Sequence, residues 1–163
     1  MMKKSGIVFA AFVSALVSFP AAAQDRFELQ PPSQPEEIRL YNPMHVRYAC
    51  EAFLDSALEG EWDDAFAFLS DIPGMIGAEQ LENLKNQAMD QTERIASVYG
   101  EALDYLLVRE ENAGNAAYRL TYAMRYEYHP IRWEFIFYNP YDDGWYLNSV
   151  RYDDTIESLF TVR

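Results

Sequence analysis

Apolar residues recur along this chain with two different periods, and the change falls near Gly100. Before it the spacing is helical. Asn42-Pro43 is a helix start, with Asn as N-cap and Pro at the first helical position. Val46, Cys50, Phe53, Leu54 and Ala57 then fall on one face, and Gly60 stops the run. Trp62, Ala65, Phe66 and Leu69 mark a second, short helix that ends in Ser70-Asp71-Ile72-Pro73-Gly74. A third helix is predicted from about Ala78 to Ser97. Leu81, Leu84, Ala88, Thr92 and Ile95 share one side of it, with Glu82, Lys85, Gln91 and Glu93 opposite.

After Gly100 the period becomes two. Leu103, Tyr105 and Leu107 alternate with Asp104, Leu106 and Val108, and Asn112-Ala113-Gly114-Asn115 is a turn. From Ala117 to Tyr128, one face carries Tyr118, Leu120, Tyr122, Met124, Tyr126 and Tyr128. The other carries Arg119, Thr121, Ala123, Arg125 and Glu127. A turn at His129-Pro130 would set Tyr126 opposite Trp133, Met124 opposite Phe135 and Tyr122 opposite Phe137. The last hairpin, through Asn139-Pro140-Tyr141-Asp142-Asp143-Gly144, would set Phe137 opposite Trp145 and Phe135 opposite Leu147. The predicted fold class is α+β, with three N-terminal helices packed on a curved antiparallel sheet of about four strands. One sheet face is apolar, and only the helices can cover it. A curved sheet under helices leaves a cone-shaped interior whose wide end suits a pocket, with Asp71–Gly77 as a lid.

The N-terminus reads as a signal peptide over residues 1–23. Lys3 and Lys4 precede an apolar run, Ile7 to Phe19, too short to span a bilayer, and Ala21-Ala22-Ala23 offers small residues for cleavage before Gln24. The expected location is periplasmic or secreted, with no membrane attachment after cleavage. Residues 24–41, with Pro31, Pro32 and Pro35, read as an extended leader, and residues 42–163 as a single domain. Without the two signal lysines, 11 basic residues face 26 acidic ones, a net charge of −15. Such a surface repels nucleic acid and anionic lipid. The single cysteine, Cys50, lies on the apolar stripe of the first helix and reads as a small core residue.

Little in the chain promises catalysis. His45 falls in the first turn of a helix and His129 in a turn before Pro130. No HxH, HExxH or CxxC spacing offers a metal site, so no metal and no cofactor is expected. Asp104, Glu127 and Glu134 are the acid/base candidates. Alternation sends Glu127 and Glu134 to the polar face, solvated or paired with Arg125 or Arg132, while Asp104 is ambiguous. No catalytic residue is assigned. The sharpest feature is the aromatic face itself. Tyr118, Tyr122, Tyr126 and Trp133 join apolar bodies to polar tips. Such residues make a core, a pocket for a flat or amphipathic ligand, or a protein interface, and the pattern leaves these three open.

Phe53-Leu54, the run Gly60-Glu61-Trp62-Asp63-Asp64-Ala65-Phe66, Gly100, and Asp143-Gly144-Trp145-Tyr146-Leu147 together resemble the NTF2-like superfamily, also called the cystatin-like or SnoaL-like cone. The resemblance covers Tyr41 to about Asp154 and is strongest to small exported members without an assigned activity. It implies a helix-covered cone. Catalytic relatives carry Asp, His or Tyr inside it, and their sets do not map onto this chain. The expectation is a non-catalytic binding or interaction domain for a small apolar ligand or a protein partner, with a homodimer through the sheet's outer face as one option. The alternative is an isomerase or dehydratase with an acid/base residue inside the cone.

Overall fold

The two periods become two layers. The computed structural model describes residues 38–160; the expected signal segment and residues 24–37 of the leader lie outside them. Three helices come first: α1 (Pro43–Leu58), α2 (Trp62–Ser70) and α3 (Ala78–Tyr99). Asn42 caps α1 by accepting the His45 amide through its side chain at 3.0 Å. The inward stripe of α1 buries Val46, Ala49, Cys50, Phe53, Leu54 and Ala57, and α2 buries Trp62, Ala65, Phe66 and Leu69. Gly60, at φ +79°, makes the sharp joint between them. The longer α3 fully buries only Leu81 and Ala88. It is tied to α2 where the Trp62 indole N–H donates to the Thr92 hydroxyl at 2.8 Å, and that hydroxyl donates on to the Ala88 carbonyl.

Four strands follow: β1 (Ala102–Ala113), β2 (Ala117–Tyr126), β3 (Pro130–Tyr138) and β4 (Tyr146–Asp153). They form an antiparallel sheet in the order β1-β2-β3-β4. The fold class is therefore α+β as expected, but the register differs in both later hairpins. Tyr122 lies opposite Trp133, Leu120 opposite Phe135 and Tyr118 opposite Phe137. Phe137 faces Leu147 and Phe135 faces Val150, with an irregularity between Ile136 and Phe137. The physical reason is parity. The β2–β3 hairpin slips by four residues, an even number that returns every side chain to its own face, so an apolar pattern accepts either register; β3–β4 slips by two at Phe137, and the irregularity adds one more before Phe135. The turns decide, and they are longer than expected, because β2 stops at Tyr126 and β4 starts only at Tyr146. Tyr128 consequently leaves the apolar face and is exposed. In β1 the register shifts between Ala102 and Asp104 and between Leu107 and Arg109. Leu103 and Val108 are the extra residues, and Leu103 points to solvent rather than joining Tyr105 and Leu107.

The sheet's two edges are treated differently. Along β4, the Leu147 N–H donates to Pro73 O at 2.9 Å and the Met75 N–H donates to Leu147 O at 2.8 Å. A Cβ on Gly74 would meet the Leu147 carbonyl oxygen at 3.0 Å, so glycine permits this close approach. The stretch expected to act as a lid is thus pinned to the sheet. Beside it the Trp145 N–H donates to Leu40 O at 2.8 Å, and Leu40 is buried, so the packed domain already includes residues placed in the leader. The edge at β1 carries no such cover among the described residues, and Leu103, Leu106 and Val108 are exposed there. On the outer face a short 3-10 turn, Ile156–Leu159, packs against β3 as a strap. One Arg109 guanidinium nitrogen donates to the carbonyls of Ser158, Leu159 and Phe160 at 3.1–3.3 Å. Glu134, expected in solvent or paired, is only 2% exposed and sits between Arg132 (3.5 Å) and Arg151 (2.5 Å). No helix among the described residues is long and apolar enough to cross a membrane.

Candidate functional site

The aromatic face is filled. Tyr118, Tyr122 and Trp133 are 3%, 0% and 2% exposed, and Tyr126 is partly buried. Phe53 sets its ring edge-on to Trp133 at 5.1 Å and to Phe135 at 5.5 Å, while Trp62 and Tyr152 stack on Trp133 at 6.1 and 4.8 Å. Three of the four residues singled out from the sequence therefore serve as core, packed by α1 and α2. Their polar tips have unequal fates. The Tyr118 hydroxyl donates to Glu110 at 2.6 Å, and the Tyr126 hydroxyl reaches the Met124 sulfur at 3.5 Å. The Tyr122 hydroxyl and the Trp133 indole N–H are buried and have no hydrogen-bond partner among the described residues.

The acid/base candidates are not gathered. Asp104 is bound by Arg125, whose guanidinium holds its carboxyl below the usual range. Glu127 is exposed, and Glu134 belongs to the arginine cluster on the outer face. The tyrosine–carboxylate pairs that do form are Tyr105–Asp55 (2.7 Å), Tyr118–Glu110 and Tyr99–Asp154 (2.7 Å). In each the carboxylate belongs to an exposed residue. Burial, reinforced by the carboxylate, pushes the Tyr105 and Tyr118 hydroxyls well above their ordinary range, so both stay protonated donors. His129 places Nε2 2.8 Å from Asp154 O, with its ring 4.7 Å from that of Tyr99. No group of three or more His, Cys, Asp or Glu among the described residues is placed to hold a metal ion.

Open space lies elsewhere. A groove of about 560 Å³ runs between the stretch Ile38–Leu40, the flank of α1 and Tyr105 of β1. Its apolar walls are Ile38, Leu40, Ala49, Ala52 and Phe68; Tyr48, His45 and Tyr105 add rings, and Arg39, Glu51 and Asp55 add charge. The local sequence explains the shape. Tyr48, Ala52 and Asp55 follow one another along the helix flank beside the core stripe, and two alanines leave room where larger residues would fill it. The opposite wall is held by the Leu40–Trp145 bridge and by the Ile38 N–H donating to Asp71 O at 3.4 Å. Glu51 is paired with Arg47 at 2.7 Å, and Asp55 accepts the Tyr105 hydroxyl. A second, more polar cleft of about 270 Å³ lies between Gln87, Gln91, Arg94 and Tyr99 of α3 and the stretch Tyr152–Asp154. Neither space is lined by Tyr118, Tyr122, Tyr126 or Trp133; a third, of about 320 Å³ beside Glu111, Arg119 and Ile136, has Tyr118 as one of its walls.

The groove residues Tyr105, Asp55, Tyr48 and Leu40 were not singled out as a site by the sequence. They come from α1, the stretch just before it and the distant strand β1, and none carries a motif. An apolar trough with aromatic walls and an ordered tyrosine hydroxyl can hold an organic molecule, but it contains no activated nucleophile. Compared with known proteins, the chain matches no family model, no curated protein and no solved structure.

Proposed function

We propose that this protein is an exported, non-catalytic binding domain that holds a small ligand with an apolar body in the groove beside α1. The observation that carries this reading is the composition of the groove. Its walls are aliphatic and aromatic, and its charged groups are either at the rim or already paired. The signal-like residues 1–23 support export to the periplasm or beyond, and the acidic surface disfavours nucleic acid. Three helices followed by a four-stranded antiparallel sheet support, at the finer level, an NTF2-like cone whose interior is packed rather than open. The enzyme reading, an isomerase or dehydratase, keeps one observation, the Tyr105–Asp55 hydrogen bond. Because Asp55 is exposed rather than enclosed, the pair acts as a tether for Tyr105.

Native mass spectrometry of protein isolated from its host without denaturation tests this. The expected spectrum shows a chain beginning near Gln24 with an added mass on the order of a few hundred daltons, the size that such clefts enclose. An Ala52→Trp variant, which fills the groove, loses the addition. A bare mass for the parent protein, together with no uptake of added apolar compounds, would leave a protein-interaction role in its place.

A further inference from the structure

We propose that the groove continues inward, past Tyr105, to the hydroxyl of Tyr122, and that the ligand carries one uncharged hydrogen-bonding head, an alcohol or a carbonyl, which that hydroxyl binds. The inference rests on the binding reading above and names the ligand's head group. Tyr122 is wholly buried, yet its hydroxyl has no partner among the described residues. Buried polar groups are nearly always paired, so an orphan of this kind calls for a partner from outside the chain. Two residues that line the groove, Glu51 of α1 and Tyr105, are among the groups that act on this hydroxyl. The Tyr105 ring stands edge-on to Tyr122 with centroids 6.0 Å apart, and Tyr105 is itself a wall of the groove. One aromatic ring therefore separates the groove from the orphan hydroxyl.

That ring is hung rather than embedded. Tyr105 is only partly buried, and its hydroxyl is held by Asp55 at 2.7 Å, with a long 3.5 Å contact to the Glu51 carbonyl. Its backbone lies on the edge strand, in a short paired stretch of four residues flanked on both sides by register shifts of β1. A swing of Tyr105 exchanges the Asp55 hydrogen bond for water and opens the way inward.

The chemistry of the head follows from what surrounds Tyr122. Burial keeps its hydroxyl protonated, so it can both donate and accept. A charged head brought to this depth would lose its water without gaining a free counter-ion, because Glu51 is engaged by Arg47. An anionic head would also pass the Asp55 and Glu51 carboxylates on the way in. A neutral head costs least and satisfies the orphan.

Titration calorimetry on the whole protein with four probes that share an eight-carbon body decides the matter: 1-octanol, 2-octanone, octylamine and octanoate. The two neutral probes are expected to bind, with the amine and the carboxylate weaker by at least about tenfold. Tyr122→Phe is expected to weaken the neutral probes by about tenfold while keeping the parent's thermal stability, since it removes only an unpaired hydroxyl. Tyr105→Ala is expected to speed their association. Equal affinity for the parent and Tyr122→Phe, or charged heads binding as well as neutral ones, would overturn the head-group inference and leave the binding reading intact. Failure of all four probes, or binding unchanged by Ala52→Trp, would overturn the groove reading and this inference with it.

Discussion

Phe53 shows how one residue organises this interior. Its ring meets Phe66, Trp133 and Phe135 edge-on, at 5.1–5.5 Å between centroids, and so joins α2 to two rungs of β3. Such geometry adds to the burial of the ring itself. Phe53→Ala is expected to destabilise the fold by about 3–5 kcal/mol, read as a lowered urea midpoint with an unchanged slope. A loss under about 1 kcal/mol would mean that neighbouring side chains collapse into the space. The tyrosines divide the same way by environment. Period-two alternation told which of them face inward except at Tyr128, which falls beyond the end of β2 and is exposed. It could not tell which hydroxyls find a partner, because the partners come from other elements. Glu110 reaches Tyr118 across a hairpin, Asp55 reaches Tyr105 from a helix, and Tyr122 meets neither. That difference, invisible in the pattern, marks the inner end of the groove.

Among the elements, helix count, strand count and the inward faces of β2 and β3 were legible from periodicity; that of β1 was not, because both its faces carry apolar residues and the register shifts leave Leu103 in solvent. Register was not legible either: the β2–β3 hairpin slipped by an even number that leaves the faces unchanged, and in β4 an irregularity after Leu147 brings Val150 rather than Ser149 inward. The groove was hidden for a related reason: its walls are Ile38–Leu40, a helix flank and one strand residue, brought together only by the Leu40–Trp145 bridge and the Ile38–Asp71 hydrogen bond. The C-terminal strap was equally silent, because Ile156–Leu159 lacks the length to show a period. Arg109 holds it through three carbonyls, and charge-assisted hydrogen bonds are the stronger kind. Arg109→Ala is expected to leave the global unfolding midpoint within about 2 kcal/mol of the parent, while limited proteolysis beyond Asp154 speeds up several-fold. An unchanged cleavage rate would show that packing on β3 alone holds the strap.

At the scale of the whole molecule, the charges on the sheet are balanced locally. The chain carries a net −13, yet Arg109, Arg119, Arg125, Arg132 and Arg151 all lie on the sheet strands, each in an ion pair with a carboxylate. Tyrosine governs the alkaline limit. Burial raises the hydroxyls of Tyr105, Tyr118, Tyr122, Tyr126 and Tyr152, and the Asp154 hydrogen bond raises that of Tyr99. A folded value above the unfolded one means that their contribution is complete below about pH 10 and is lost as the pH climbs through the folded values. Absorbance at 295 nm is expected to show the five hydroxyls raised by burial ionising only together with the loss of far-UV circular dichroism, while Tyr99 ionises in the folded protein. Smooth ionisation of those five with the spectrum intact would contradict the burial. The unequal edges of the sheet also set an arithmetic for growth. Pro73–Met75 and Leu40 cover the β4 edge only at Trp145–Leu147, so among the described residues β1 is the longer open edge. Two copies that met along β1 would use both of those edges at once and make an eight-stranded sheet whose outer strands are the two part-covered β4 strands.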